Sequence, residues 1–172
     1  MTNPGGTAST APETSSGIAA RVHARLSELG ATVAVAESLT GGLLCAALTD
    51  PPGASTTVRG GLVVYASELK SALAGVSEAL LDERGAVDPE VALALARGAR
   101  TRLGATYGVG VTGVAGPDPQ DGKPVGTLFA AVAGPRGEVV REDRLAGSRA
   151  EIRAAAVRVC LELLSAEYDR PG

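Results

Sequence analysis

The residues best suited to chemistry lie in three loops, each following a segment predicted to be a buried strand. The first loop is AESLTGG at residues 36–42, in which Ser38 is a candidate catalytic nucleophile. Glu37, Thr40, Gly41 and Gly42 are predicted to bind substrate, because unobstructed amides at a helix start can hold an anion or an oxyanion. The same loop also fits a tight strand-to-helix turn with Thr40 as the N-cap. The residues alone leave both interpretations open.

The second loop contains PGAS at residues 52–55 and is followed by Tyr65 and Lys70. Desolvation of a lysine at the end of a buried strand lowers its pKa from about 10.4, so that it can act as a base at neutral pH. A serine paired with a lysine can replace a Ser-His-Asp triad, and Ser55 is the second candidate nucleophile. Tyr65 is expected to relay a proton or to hold the lysine neutral. Alternatively, Lys70 is a solvated lysine at the beginning of a helix.

The choice between the two serines depends on strand direction. If the first two strands are parallel, Ser38 and Lys70 lie at one edge of the sheet, and Ser55, which precedes the second strand, lies at the far edge. If the second strand is antiparallel, or if residues 53–59 fold back, Ser55 is the better candidate. Direct attack by a water molecule that Lys70 activates is a further alternative.

The third loop is TGVAGP at residues 112–117, which is closed by KPVGT at residues 123–127. Its glycines permit close approach of the backbone to a ligand, but its spacing matches neither a P-loop nor a dinucleotide-binding fingerprint. Thr112 is predicted to orient the substrate. Gly113 and Gly116 are predicted to contribute to the cradle that holds it.

The composition favours a small ligand over nucleic acid. The formal net charge is -3, and aromatic residues make up only 2% of the chain, so both a basic footprint for a phosphate backbone and a stacking surface for bases are missing. One or two arginines suffice for a compact phosphorylated ligand. Arg149, at the start of the last predicted helix, is the candidate phosphate partner, or else a surface arginine on an amphipathic helix.

Neither a metal nor another cofactor is predicted. His23 is the only histidine, and Cys45 and Cys160 lie in apolar helical patterns typical of buried, reduced thiols. The N-terminus lacks the basic and apolar regions of a secretory signal, and no apolar run reaches the roughly 18 residues that a membrane span needs. The sequence therefore predicts a cytoplasmic protein without a membrane partner.

Hydrophobic periodicity and turn signals predict that helices and strands alternate. The first helix starts at Gly17, with Ile18, Val22, Leu26 and Leu29 on one face, and a later helix starts with Asp88 as its N-cap and Pro89 at its first position. Ser148 and Glu151 form a capping box for the last helix. The predicted buried stripe of that helix is Ile152, Ala156, Val159 and Leu163. The predicted strands are 32–36, 61–66, 107–112, 125–133 and 138–145, the last two pairing as an antiparallel hairpin.

This order of elements predicts the fold. Residues 1–16 are expected to form a disordered tail, and residues 17–168 a single domain. Alternating helices and strands with one hairpin predict an α/β domain, namely a three-layer α/β/α sandwich with a mixed, mostly parallel sheet. Ligands collect at the carboxyl ends of the strands in such sheets, so all three loops are expected to meet there.

Taken together, the motifs resemble those of the CinA C-terminal domain family. AESLTGG, PGAS, Tyr65 with Lys70, GAV at residues 85–87, TGVAGP and KPVGT follow in the family's order and spacing over roughly residues 17–167. Three positions depart from the family pattern. Leu39 replaces the usual cysteine, which argues against a cysteine nucleophile there, Ala54 replaces the first serine of GSS, and Ser67-Glu68 replaces the usual Asn-Glu or Asn-Ala.

The resemblance implies an amidohydrolase that converts nicotinamide mononucleotide to nicotinate mononucleotide and ammonia. It also implies a homo-oligomer, expected to be a dimer. The family includes longer proteins with a nucleotide-pyrophosphatase-like domain, for which this chain is too short, so a stand-alone deamidase is expected. The alternatives are a catalytically silent nucleotide-binding or regulatory domain and a hydrolase for a different small amide.

Overall fold

The computed structural model describes residues 13–168, so most of the predicted tail lies outside the described residues. The first helix begins at Ser15, two residues before the predicted Gly17, and the Thr14 side chain caps it by accepting a hydrogen bond from the amide of Gly17 at 3.2 Å. Leu29, expected on the buried face of this helix, is instead 41% exposed.

Helices and strands alternate as predicted. The helices are α1 (Ser15–Leu29), α2 (Leu43–Thr49), α3 (Ser67–Ala74), α4 (Glu78–Arg84), α5 (Pro89–Arg102) and α6 (Arg149–Tyr168), and a 3-10 turn covers Ala54–Thr56. The strands are β1 (Val33–Glu37), β2 (Val58–Val63), β3 (Tyr107–Gly113), β4 (Thr127–Gly134) and β5 (Gly137–Arg144).

The strands form one sheet in the order β2-β1-β3-β4-β5. Strand β1 pairs in parallel with both β2 and β3, whereas β4 is antiparallel to β3 and to β5. Four strands therefore share one direction. Helices α1, α2 and α6 cover one face of the sheet, and α3, α4 and α5 cover the other. The predicted α/β sandwich with a mixed, mostly parallel sheet is confirmed.

Strand β2 lies three residues earlier in the chain than predicted. It spans Val58–Val63 at the edge of the sheet, and Gly60 and Gly61 interrupt the apolar pattern that would have revealed it. The amide of Val64 still donates to the carbonyl of Glu37 at 2.8 Å, and the chain then turns into α3. Tyr65 therefore belongs to the exit loop of the strand.

Helix α5 lies unusually close to β3. A Cβ atom added to Gly108 would be 1.9 Å from the carbonyl oxygen of Ala96, and one added to Gly110 would be 2.1 Å from that of Ala92. Asp88 caps this helix by accepting from the amide of Glu90 at 2.8 Å, as predicted. The start of α5 is thus held both by its cap and by a contact that tolerates only glycine on the strand.

The capping box and the buried stripe predicted for the last helix are both confirmed. The Ser148 hydroxyl and amide both donate to the Glu151 carboxylate at 2.7 Å. The four predicted stripe residues of α6 are all buried. Within residues 13–168, no helix is long and apolar enough to cross a membrane.

Candidate active site

Parallel pairing of β1 with β2 and β3 brings the segments that follow these three strands to one edge of the sheet, where they line a cavity of about 560 Å³. The PGAS part of the second predicted loop does not reach this edge, because it precedes β2. This volume is typical of sites for small molecules. The cavity is lined by Ser38 and Leu39 after β1, residues 65–67 after β2, residues 113–120 after β3, and Arg149 of α6.

The structure separates the two candidate serines. Ser38 lines the cavity and is 8% exposed. Ser55 lies in the 3-10 turn before β2, and because β1 and β2 are parallel, this turn is at the opposite edge of the sheet. Ser38 is therefore the serine that shares an edge with Lys70.

Lys70 is buried beside the cavity, with 1% of its surface exposed, so the alternative of a solvated lysine is wrong. Its Nζ donates to the carbonyl oxygens of Val64 at 2.9 Å and Tyr65 at 3.3 Å. Burial lowers the pKa of Lys70, although the carboxylates of Asp121 and Glu68 partly oppose this effect. In the described part of the chain, no hydrogen bond joins Lys70 to Ser38.

Tyr65 and Arg149 form a bridge across the rim of the cavity. The Arg149 guanidinium donates to the Tyr65 hydroxyl at 3.2 Å through Nη2, and to the Gly116 carbonyl through Nη1. Tyr65 is 60% exposed, and its hydroxyl contacts Arg149 instead of Lys70. The predicted proton relay through Tyr65 is therefore not formed in this structure, whereas Arg149 lines the cavity, as its predicted role requires.

The anion cradle predicted at the start of α2 is occupied by the protein itself. The buried Glu37 carboxylate accepts from the amides of Gly42 at 3.1 Å, Leu44 at 3.0 Å and Cys45 at 2.8 Å. The Gly41 amide donates to the Ser38 carbonyl at 3.1 Å. These amides are therefore unavailable to substrate, and Glu37 is a structural cap of α2.

Two threonines also differ from expectation. Gly42, not Thr40, is the N-cap residue of α2, and the buried Thr40 hydroxyl has no hydrogen-bond partner among the described residues. Thr112 is 1% exposed, and its hydroxyl donates to the Ala86 carbonyl at 2.7 Å. Neither threonine lines the cavity. The Thr112 hydroxyl therefore has a structural role, because it joins β3 to the segment before α5.

The glycines of the third loop have separate roles. Gly113 lines the cavity, and a Cβ atom there would be 2.4 Å from the carbonyl oxygen of Thr127 on the neighbouring strand. Gly116 also lines the cavity, in the left-handed conformation with a φ of 86°. Both therefore shape the cavity wall, and their predicted contact with substrate stays a prediction.

Sequence reasoning missed several residues of the site. Asp118 and Gln120 line the cavity from the third loop. Arg153 of α6 donates to the carbonyls of Leu39 at 2.9 Å and Thr40 at 3.2 Å, so it holds the loop that carries Ser38. Arg153 follows Arg149 by one helical turn, and this i, i+4 spacing is the signal that both arginines share one helix face.

The cysteines are not activated thiols. Burial raises the pKa of both Cys45 and Cys160, with the Glu37 carboxylate contributing in each case. Neither of these two cysteines forms a disulfide bond within the described residues. A neutral thiol is a poor nucleophile, so the hydroxyl and amine groups remain the best nucleophile and base at the cavity.

Comparison with known proteins gives the family. The model of the CinA C-terminal domain matches residues 15–168. A CinA-like protein from Frankia casuarinae is 56% identical over 139 residues, which cover 81% of this chain and 32% of the relative. A CinA-like protein from Acidobacterium capsulatum is 48% identical over 136 residues, which cover 78% and 33%. The chain spans about a third of the length of these curated relatives.

Solved structures give the same result. The competence/damage inducible protein CihA from Agrobacterium tumefaciens superposes with a TM-score of 0.87 at 38% identity, covering 94% of this chain and 99% of that one. A competence-damaged protein (CinA) superfamily protein from Escherichia coli superposes with a TM-score of 0.86 at 29% identity, covering 88% and 89%. The family model, the relatives and the solved structures agree, and the chain belongs to the CinA C-terminal domain family.

Proposed function

We propose that the protein is an amidohydrolase that converts nicotinamide mononucleotide to nicotinate mononucleotide and ammonia. The observation that carries this proposal is the placement of Ser38 in a cavity beside the buried Lys70, with Arg149 on the rim. Amide hydrolysis needs a nucleophile and a base, and a nucleotide needs a cation for its phosphate. Family membership supports the choice of substrate.

The hydrogen bonds of Lys70 suit a neutral amine. Nζ donates to the carbonyl oxygens of Val64 and Tyr65, and burial lowers the pKa of Lys70, which favours the neutral form. A neutral amine satisfies both carbonyls with its two N–H bonds and keeps a lone pair. That lone pair is the group that accepts a proton in general base catalysis.

In the proposed reaction, Ser38 Oγ attacks the carboxamide carbon while Lys70 Nζ takes the hydroxyl proton. The tetrahedral intermediate expels ammonia, which carries away the proton from Lys70, and an ester remains on Ser38. Lys70 then takes a proton from water as the water oxygen attacks the ester carbon. Ser38 leaves with that proton, and the nicotinate product is released. Ala115 and Gly116 line the cavity, and their backbone amides are the proposed donors to the oxyanion.

The direct test is incubation of the pure protein with nicotinamide mononucleotide, followed by measurement of ammonia and of the nicotinate product. We expect both products in equal amounts. Saturable binding without product would contradict the proposal and favour a nucleotide-binding or regulatory domain. Activity on free nicotinamide, glutamine or asparagine in place of the nucleotide would indicate a hydrolase for a different small amide.

Replacing Arg149 with methionine is expected to weaken substrate binding. The change keeps the length of the side chain but removes the charge that faces the phosphate, so KM for nicotinamide mononucleotide should rise by about tenfold to a hundredfold. KM for nicotinamide riboside, which lacks the phosphate, should change little. An equal rise for both substrates would show that Arg149 supports the cavity through Tyr65 and Gly116 without contacting a phosphate.

A further inference from the structure

The tip of the third loop is a small hairpin whose turn, Asp121-Gly122, lies outside the cavity lining. Gln120 and Lys123 pair through their backbones, with N–O distances of 3.1 Å and 2.8 Å. Between them, Asp121 and Gly122 have φ values of 51° and 69°. Two consecutive residues in the left-handed region are typical of a type I′ turn, for which Asp-Gly is a preferred pair.

The Asp121 side chain fastens this hairpin to the segment that precedes α5. Its Oδ2 accepts from the amides of Ala86 at 2.7 Å and Val87 at 3.3 Å. Gly85 has a φ of 76°, and a Cβ atom there would be 2.8 Å from Asp121 Cγ, so a glycine is needed for the carboxylate to reach these amides. The carbonyl of Ala86 in turn accepts from Thr112 of β3.

We propose that Asp121 is a positioning residue that holds the loop wall of the cavity against residues 85–87. The loop it holds includes the cavity-lining residues 113–120. The catalytic consequence rests on the proposed function, because it assumes that Lys70 acts as the base. The anchoring itself is independent of any substrate.

Several charged groups surround α3, which carries Lys70. Glu68 of the same helix and Asp121 of the loop favour the charged form of the lysine, while burial favours the neutral form more strongly. Glu78 and Asp82 of α4 share a surface groove with Glu68, and α5 places Arg97 and Arg102 around a second groove near Gly75. Removal of the Asp121 charge destabilises the ammonium form, so we expect the pKa of Lys70 to fall further.

Two variants distinguish the effect of the Asp121 hydrogen bonds from the effect of the Asp121 charge. Asp121→Asn keeps one carbonyl oxygen, which is sufficient because a single carboxylate oxygen accepts both amides. Asp121→Gly keeps the left-handed turn but removes both the acceptor and the charge. The matched control is Asp82→Asn, which removes the same charge from an exposed position on α4.

The sequence makes the measurement simple, because Lys70 and Lys123 are its only lysines. Protein labelled with ¹³C at lysine Cε gives two side-chain signals that can be titrated by NMR without substrate. In both Asp121 variants we expect the Lys70 midpoint to fall by about half a pH unit or more relative to the wild type. The Asp82→Asn midpoint for Lys70 should match the wild type.

Amide hydrogen exchange tests the anchor. In Asp121→Gly, exchange at Ala86 and Val87 should become about tenfold faster or more, because a hydrogen bond to a charged group is lost. Asp121→Asn should retain most of the protection, and the Gly42 amide, bonded to Glu37, should be unaffected in both. Unchanged Lys70 titration together with unchanged exchange would overturn the proposal. If these shifts occur but no deamidation is found, the proposed function fails while the role of Asp121 as an anchor stands.

Discussion

Ser38→Ala is expected to reduce deamidation of nicotinamide mononucleotide by about a thousandfold or more, because it removes the proposed nucleophile, whose hydroxyl belongs to the loop that lines the cavity after β1. Ser55→Ala is expected to stay within about twofold of the wild-type rate, because Ser55 is exposed at the opposite edge of the sheet. The two variants are matched, since each removes one hydroxyl from a loop. The measurement is the initial rate of ammonia release.

Mass spectrometry provides a second readout for the same pair. Rapid quenching of the wild-type protein during turnover should trap a covalent adduct on the peptide that contains Ser38, and Ser38→Ala should not form it. Loss of activity in Ser55→Ala with retention in Ser38→Ala would reverse the assignment. Activity in both variants would favour direct attack by water.

Lys70→Met is expected to lower kcat by about a hundredfold to ten-thousandfold, the range typical of general base catalysis. Methionine fills much of the same buried space, so packing is largely kept while the amine is lost. Lys123→Met, which removes the other lysine of the sequence, should retain the wild-type rate within about twofold. Thermal unfolding of both variants checks that they are folded, and near-normal turnover of folded Lys70→Met would contradict the proposed base.

The proposed mechanism predicts the direction in which kcat changes with pH. Lys70 acts as a base only when it is neutral, so kcat should rise as the pH increases through the pKa of Lys70. Because burial lowers that pKa, the rise should occur below the pH of about 10.4 expected for an exposed lysine. A rate that falls over this range would contradict the neutral-lysine mechanism.

Local signals carried most of the fold prediction. Asp88 with Pro89, and Ser148 with Glu151, marked helix starts correctly because each cap lies within three residues of the group it satisfies. Strand β2 was placed incorrectly because its two glycines and its edge position weaken the apolar alternation on which strand prediction depends. The predicted strand was therefore placed too late in the chain, so that it included the apolar residues just after β2, such as Val64 and Tyr65.

The sequence predicted the candidate site only in part, and that part depended on the direction of the strands. The alternation of elements predicted a mostly parallel sheet but left the direction of the second strand open. The structure shows that β2 is parallel to β1, which brings Ser38 and Lys70 to one edge. The roles of Glu37 and Asp121 depend on where their carboxylates point. Asp121 reaches amides 34 and 35 residues away in the chain, and no local pattern encodes such a contact.

The close contact between α5 and β3 has a consequence for local unfolding. A glycine- and proline-rich loop is ordinarily among the first parts of a domain to open. Here the loop is bonded through Asp121 to Ala86 and Val87, just before a helix whose backbone lies directly on Gly108 and Gly110. Opening of the cavity wall must break the Asp121 hydrogen bonds to a segment next to this fixed helix, so we expect the loop to be better protected from local unfolding than its composition alone would suggest.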